Sequence, residues 1–196
     1  MSFSQPVRTL AFFAVVAAMA GPGVRAQTHR IDVKYSSLKI SVFKSGFFSA
    51  FGHNHEIQAP IAEGTVEQSS SPAVSLRVES ADLRVLDPDT SPDTRSDVQK
   101  TMLGPQVLDV EHFPEISFRS TSVDSAGSNH WQVHGDLTLH GQTRPLVLDV
   151  TLVDSHYRGS VTLRQRDFGI TPVSVAGGTV KVKNEVKIEF DILLQR

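Results

Sequence analysis

The stretch VKVKNEVKIEFDI, Val180 to Ile192, limits the fold more than any other part of the chain. Val180, Val182, Val186, Ile188, Phe190 and Ile192 are apolar, and Lys181, Lys183, Glu185, Lys187, Glu189 and Asp191 stand between them, with Asn184 the one break. Successive side chains of a strand point to opposite faces, so one face of this segment is greasy and the other charged. A helix cannot sort such a pattern, because its faces repeat every 3.6 residues. The same alternation recurs at Leu38-Ile40-Val42, Val74-Leu76-Val78, Ile116-Phe118, Leu137-Leu139, Leu146-Leu148-Val150-Leu152 and Val161-Leu163. Antiparallel sheet with one wet face follows.

Turn chemistry separates the runs. His140-Gly141-Gln142 reads as a short hairpin loop and Ser125 to Asn129 as a second. Pro72, Pro114, Pro145 and Pro172 fall at strand beginnings or in loops, where a missing N–H does little harm. One segment breaks the rhythm. SPDTRSDVQKTMLG offers Ser91 as N-cap, Pro92 as first helical residue and Gly104-Pro105 as a stop, with Val98 and Met102 four apart. A short helix packed over an opening or an edge of the sheet is predicted here.

A long antiparallel sheet must deal with its edges, and closure into a barrel removes them. Thirteen residues from Val180 to Ile192 would run roughly 43 Å, or about 33 Å of barrel height when tilted. A two-sheet sandwich would need shorter strands and more frequent turns. The expectation is an all-β, single extended eight-stranded antiparallel β-barrel with one short α-helix. Its interior would suit side chains or one elongated small molecule.

Residues 1–26 read as a secretory signal: Arg8, then the apolar run Leu10 to Ala20, then Gly21-Pro22 and Val24-Arg25-Ala26 before Gln27. Eleven apolar residues fall well short of the roughly 20 that span a bilayer. The expected domain is therefore 27–196, periplasmic or secreted after cleavage near Ala26-Gln27. Residues 1–26 carry Arg8 and Arg25 and no acidic residue, so the remainder has 17 basic against 21 acidic groups, a net charge of −4. That argues against nucleic acid as a partner. The chain has no cysteine, hence no disulfide framework and no thiol chemistry.

Three segments together resemble the YceI-like family. HGDLTLHGQTRPLVLDVTL, His134 to Leu152, resembles the family's Gly-Asp-Leu-Thr hairpin with its following Gly and Arg-Pro. VLDVEHFPEISFRSTSV, Val107 to Val123, is similar to its helix exit and Pro-x-Ile-x-Phe strand, and RQRDFGI, Arg164 to Ile170, to its Asp-Phe turn. The chain departs from the family pattern at SGFFSAFGHNHEIQAP, and at Arg95 to Gln99, where a helix histidine is missing. The resemblance implies an exported, lipocalin-like barrel that sequesters or transports a polyisoprenoid or similar amphiphilic lipid, with no catalysis and no cofactor. Phe47-Phe48 in Gly-Phe-Phe-Ser reads as a mouth gate, a tip for transient membrane contact or a loop folded back, and the oligomeric state stays open between monomer and homodimer.

The residues expected at the cavity or its mouth are Phe43, Phe47, Phe48, Phe51, His53, His55, Phe118, Trp131, Leu137, Leu139, Leu163, Phe168, Ile188 and Phe190. Aromatic rings bring large apolar area, and the same rings serve equally as core. If the chain is extended from Gly52 onward, His53, His55 and Ile57 share one face, and Asn54 and Glu56 the other. Two histidines at that spacing can reach one ion, but zinc needs three or four ligands, with His112 or His134 as distant candidates. Hydrogen bonding near the barrel mouth is the other role for His53 and His55. Enzyme signatures are absent: no Gly-x-Ser-x-Gly, no Gly-x-Gly-x-x-Gly, no His-Glu-x-x-His. Asp136 and Asp167 lie in the two family-like turns and are read as structural, bonding nearby backbone N–H groups. The alternatives are a periplasmic metal-binding protein using His53 and His55, and an enzyme modifying a lipid or quinone.

Overall fold

The computed structural model of the chain describes residues 27–45, 54–175 and 180–195. The described strands are β1 (Gln27–Arg30), β2 (Ser37–Ser45), β3 (His55–Gln58), β4 (Glu63–Gln68), β5 (Ala73–Glu79), β6 (Arg84–Val85), β7 (Glu115–Gly127), β8 (His130–Leu139), β9 (Gln142–Val153), β10 (His156–Arg164), β11 (Ser174–Val175) and β12 (Val180–Leu193). One helix, α1, spans Pro92–Leu103. All twelve strands join one antiparallel sheet, in the order β1-β4-β5-β7-β8-β9-β10-β12-β2-β3-β6, with β11 set against β12.

Eight strands is therefore a correction to make: the described residues form twelve. The extra members are short pieces such as β1, β6 and β11, of four, two and two residues. They are too brief to show alternation. The sheet is curled rather than closed by an unbroken ladder. Its strand path ends at β1 and β6, and the chain crosses directly from β3 to β4 through Ala59 to Ala62. There β1 covers the seam, with Ile31 bridged to Leu194, its N–H donating to the Gly64 carbonyl, and the Gln195 N–H donating to the Arg30 carbonyl.

The register explains the greasy interior. Ile188 lies opposite Ile40 on one side and Val161 on the other, and Phe190 opposite Leu38 and Gly159. Directly opposed residues share a face, so alternation within one strand becomes an apolar lining across many. The β8–β9 turn places His140 at φ 51 and Gly141 at φ 68, and the β9–β10 turn Asp154 at φ 50 and Ser155 at φ 68. Two consecutive left-handed residues match the twist of the flanking strands.

Helix α1 begins as its sequence dictates. Ser91 Oγ accepts from the Thr94 N–H, Pro92 opens the helix, and the Gly104 N–H closes it on Lys100 and Thr101 carbonyls. Its buried Met102 joins Ile57, Val78, Leu83, Val85, Leu108 and Ile170 in a core that stoppers one end of the sheet. That end also holds the two family-like turns, which interlock: His140 Nδ1 donates to the Phe168 carbonyl (3.1 Å) and Arg144 Nε to the Asp167 carbonyl (2.8 Å). Asp167 thus serves through its carbonyl rather than through the carboxylate expected from its turn.

On the outer face, the β10–β12 ladder carries Asp191 between His156 Nδ1 and Arg158 Nε. Partial burial pushes the Asp191 carboxyl up, but the hydrogen bonds from His156 and Arg158 and their charges outweigh it and hold the group below the usual range. A depressed carboxyl stabilises the fold above its unfolded value of about 3.9, and that share is lost as pH falls through the lower folded value. His156→Ala is expected to move the Asp191 titration upward, followed by NMR of the side-chain carboxyl. An unchanged midpoint would show that His156 contributes nothing to it.

Candidate functional site: an apolar hollow

The inner faces of the strands enclose a cavity of about 740 Å³. That volume falls in the range of roughly 300–1,000 Å³ typical of small-molecule sites. Its walls are built by alternate residues of successive strands: Leu38, Ile40 and Val42 from β2, Val74, Leu76 and Val78 from β5, and Leu146, Leu148 and Val150 from β9. β10 and β12 add Val161, Leu163, Val186, Ile188, Phe190 and Ile192, while Met102 of α1 and Leu108 after it reach in from the stoppered end.

Glycines decide where the large rings go. A Cβ on Gly135 would strike the Phe118 ring and the Arg119 carbonyl, and one on Gly159 the Phe190 ring and the Asp149 carbonyl. Each phenyl group therefore lies flat over a neighbouring strand instead of standing out into the space. The hollow stays open because two of its widest side chains are folded against its wall.

Of the residues expected here, Phe118, Trp131, Leu137, Leu139, Leu163, Ile188 and Phe190 line the cavity. Three others, expected at the cavity or its mouth, are not among the lining residues. Phe43 alternates with Val42 and so takes the outer face of β2. Phe168 is buried at 2 % exposure in the tight turn Gln165–Phe168, away from the lining. His55 is opposite Val42 and so shares the inner face with Ile57, as its spacing predicted, but its ring turns to Asp87 instead of the hollow. Phe47, Phe48, Phe51 and His53 lie outside the described residues.

The His55–Asp87 contact is a closed pair. Asp87 is 4 % exposed; its Oδ2 lies 2.6 Å from His55 Nδ1, and its Oδ1 accepts from the Glu56 N–H at 2.7 Å. Glu56 itself turns outward to Lys39 Nζ at 2.6 Å. The other candidate metal ligands are scattered, His112 beside Asp109 and His134 beside Asp124. Among the described residues no three histidine or carboxylate side chains are gathered as an ion would need.

Sequence reasoning missed Tyr157 and the polar residues of the far end. Gln68 Nε2 donates to Tyr157 Oη at 3.4 Å, and the Trp131 and Tyr157 rings lie 5.8 Å apart. Tyr157 occupies an apolar slot of the β10 alternation, two residues before Gly159, and that position was the available signal. Gln68 offered none, because the sequence EGTVEQ of β4 lacks a clean apolar period.

Comparison with known proteins agrees with this architecture. The family model described as "YceI-like domain" matches residues 26–194. A UPF0312 protein of Vibrio cholerae serotype O1 is 26% identical over 195 residues, covering 93% of this chain and 97% of its own. A UPF0312 protein of Pseudomonas savastanoi pv. phaseolicola is 41% identical over 73 residues, 32% of this chain and 38% of its own. Among solved structures, Burkholderia cenocepacia BcnA superposes with a TM-score of 0.65 at 16% identity, over 83% of this chain and 98% of its own. A polyisoprenoid-binding domain from Saccharophagus degradans gives 0.56 at 13% identity, over 87% and 99%. At such identities the two structures speak for the fold alone. With an all-β curled sheet, one helix and a family match spanning nearly the whole described region, the chain belongs to the YceI-like domain family.

Proposed function

We propose that this protein is exported and holds a long-chain amphiphilic lipid of isoprenoid type in its hollow, sequestering or carrying it without acting on it. The observation that carries the proposal is the apolar cavity of about 740 Å³, walled by strand after strand of aliphatic and aromatic side chains. Transfer of a methylene from water is worth about 0.8 kcal/mol, so ten buried methylenes supply roughly 8 kcal/mol before costs. Lost translational freedom and ordering take back several kcal/mol, so ten methylenes alone give about millimolar binding and micromolar affinity calls for a tail about twice as long. A guest of that kind needs no reacting group in the wall. The polyisoprenoid-binding domain from Saccharophagus degradans shares the fold and supports the choice of ligand class. Export rests on the leader-like pattern of residues 1–26.

Organic extraction of the protein purified from its native compartment, followed by mass spectrometry, is expected to release a stoichiometric isoprenoid or similar long-chain lipid. Recovery of none, together with failure of the emptied protein to take up added isoprenoid, would overturn the proposal and leave the fold untouched.

A further inference from the structure

Resting on that lipid-binding role, we infer that the guest lies with an uncharged head between Gln68 and Tyr157 and its tail toward helix α1. The two ends of the hollow differ in chemistry. At the β4–β5 turn, Gln27, Gln68, Ser69 and Tyr157 bring amide and hydroxyl groups to the lining. They are drawn together by the fold: Gln27 pairs with Gln68 across β1 and β4, and Gln68 Nε2 donates to Tyr157 Oη. The opposite end is closed by buried Met102, Leu108 and Ile170, and the one amide that lines it, Gln165, spends its Nε2 on the Lys183 carbonyl. An oxygen-bearing head pushed there would give up its hydrogen bonds to water and gain little in return.

Charge narrows the head further. Among the described residues, Glu67 at the rim is the one lining residue with a formal charge, and no Lys, Arg or His side chain lines the wall. The internal stretches 46–53 and 176–179 contain no Lys or Arg, and His53 is their one histidine. A phosphate or carboxylate head would leave water without meeting a cation among these lining residues. Removal of a leader before Gln27 would create an α-ammonium at this rim. Its neighbour Thr28 is opposite Glu67, which puts a carboxylate-bearing residue in the adjacent pair of the β1–β4 register. Gln, Ser and Tyr side chains each donate and accept, which suits an alcohol or a carbonyl-bearing head.

Trp131 is the only tryptophan of the chain and lies beside Tyr157, so it reports on this end directly. The test titrates the full protein, freed of bound lipid, with a long-chain alcohol, the carboxylate of the same tail and the corresponding hydrocarbon. The alcohol is expected to bind about tenfold more tightly than the carboxylate. An alcohol brominated next to its head should quench Trp131 more than one brominated at the tail tip. Tyr157→Phe should weaken the alcohol several-fold and leave the hydrocarbon unchanged. Equal or tighter binding of the carboxylate overturns the uncharged head, and stronger quenching from the tail tip overturns the orientation. Failure of all three probes to bind refutes the lipid-binding role itself, a separate outcome.

Discussion

Gly159→Val is expected to cost about 3 kcal/mol of stability, read as a lower urea midpoint. Strand propensity alone predicts the opposite sign. Valine is among the best strand formers and glycine among the worst, a span of about 1 kcal/mol in favour of the substitution. Packing overrides it. Gly159 is opposite Val150 and Phe190, and any Cβ there runs into the Phe190 ring and the Asp149 carbonyl. The ring has space to swing away into the hollow, but the carbonyl belongs to the β9–β10 ladder and has none. A midpoint equal to that of the unaltered protein, or above it, would show that the ladder yields and that the close approach does not shape the wall. The swung ring would also narrow the cavity, so any folded fraction should take up less lipid.

Asp87→Ala should lose about 3 kcal/mol. Hydrogen bonds to a charged group contribute about 1.5–3 kcal/mol each, and Asp87 makes one with His55 and one with the Glu56 N–H. The two do not simply add, because removing a buried carboxylate also removes its own desolvation cost. What remains is an orphaned backbone donor at the start of β3 and a histidine without its partner. The effect spreads beyond one residue: Leu86 N–H donates to the Glu56 carbonyl and Thr90 N–H to the Asp87 carbonyl, so the same stretch sets the approach to α1. Asp87→Asn keeps the acceptor for Glu56 and should cost about half as much. Denaturation curves for the two variants that coincide with the unaltered protein would dismiss the clamp.

The parts legible in the sequence were those where one local period decides the structure. Val180 to Ile192 fall within the fourteen-residue strand β12. Even its flaw was informative: the register slips between Val182 and Val186, around Asn184, whose side-chain oxygen accepts from the Arg166 N–H. Ser91, Pro92 and Gly104 bounded α1 because caps act within a few residues. Strands β1, β6 and β11 were illegible for the converse reason. They are too short to carry a period and exist only because a distant partner offers an edge. The site divided along the same line. Leu137, Leu139, Leu163 and Ile188 were placed by alternation, whereas His55 was diverted by Asp87, thirty-two residues away in sequence. Nothing in GHNHE announces that partner.

The join at β1 has a mechanical consequence. The β10–β12 joint is held by nine consecutive pairs, whereas β1 is held by four pairs to β4 and, on its other side, by one bridge at Ile31 and Leu194 with two backbone hydrogen bonds beside it. Opening free energies within a protein follow the local density of such contacts. Beside β12 the wall therefore resembles a barrel with a loose stave, and a bulky guest would have a sideways route there that spares the nine-pair joint.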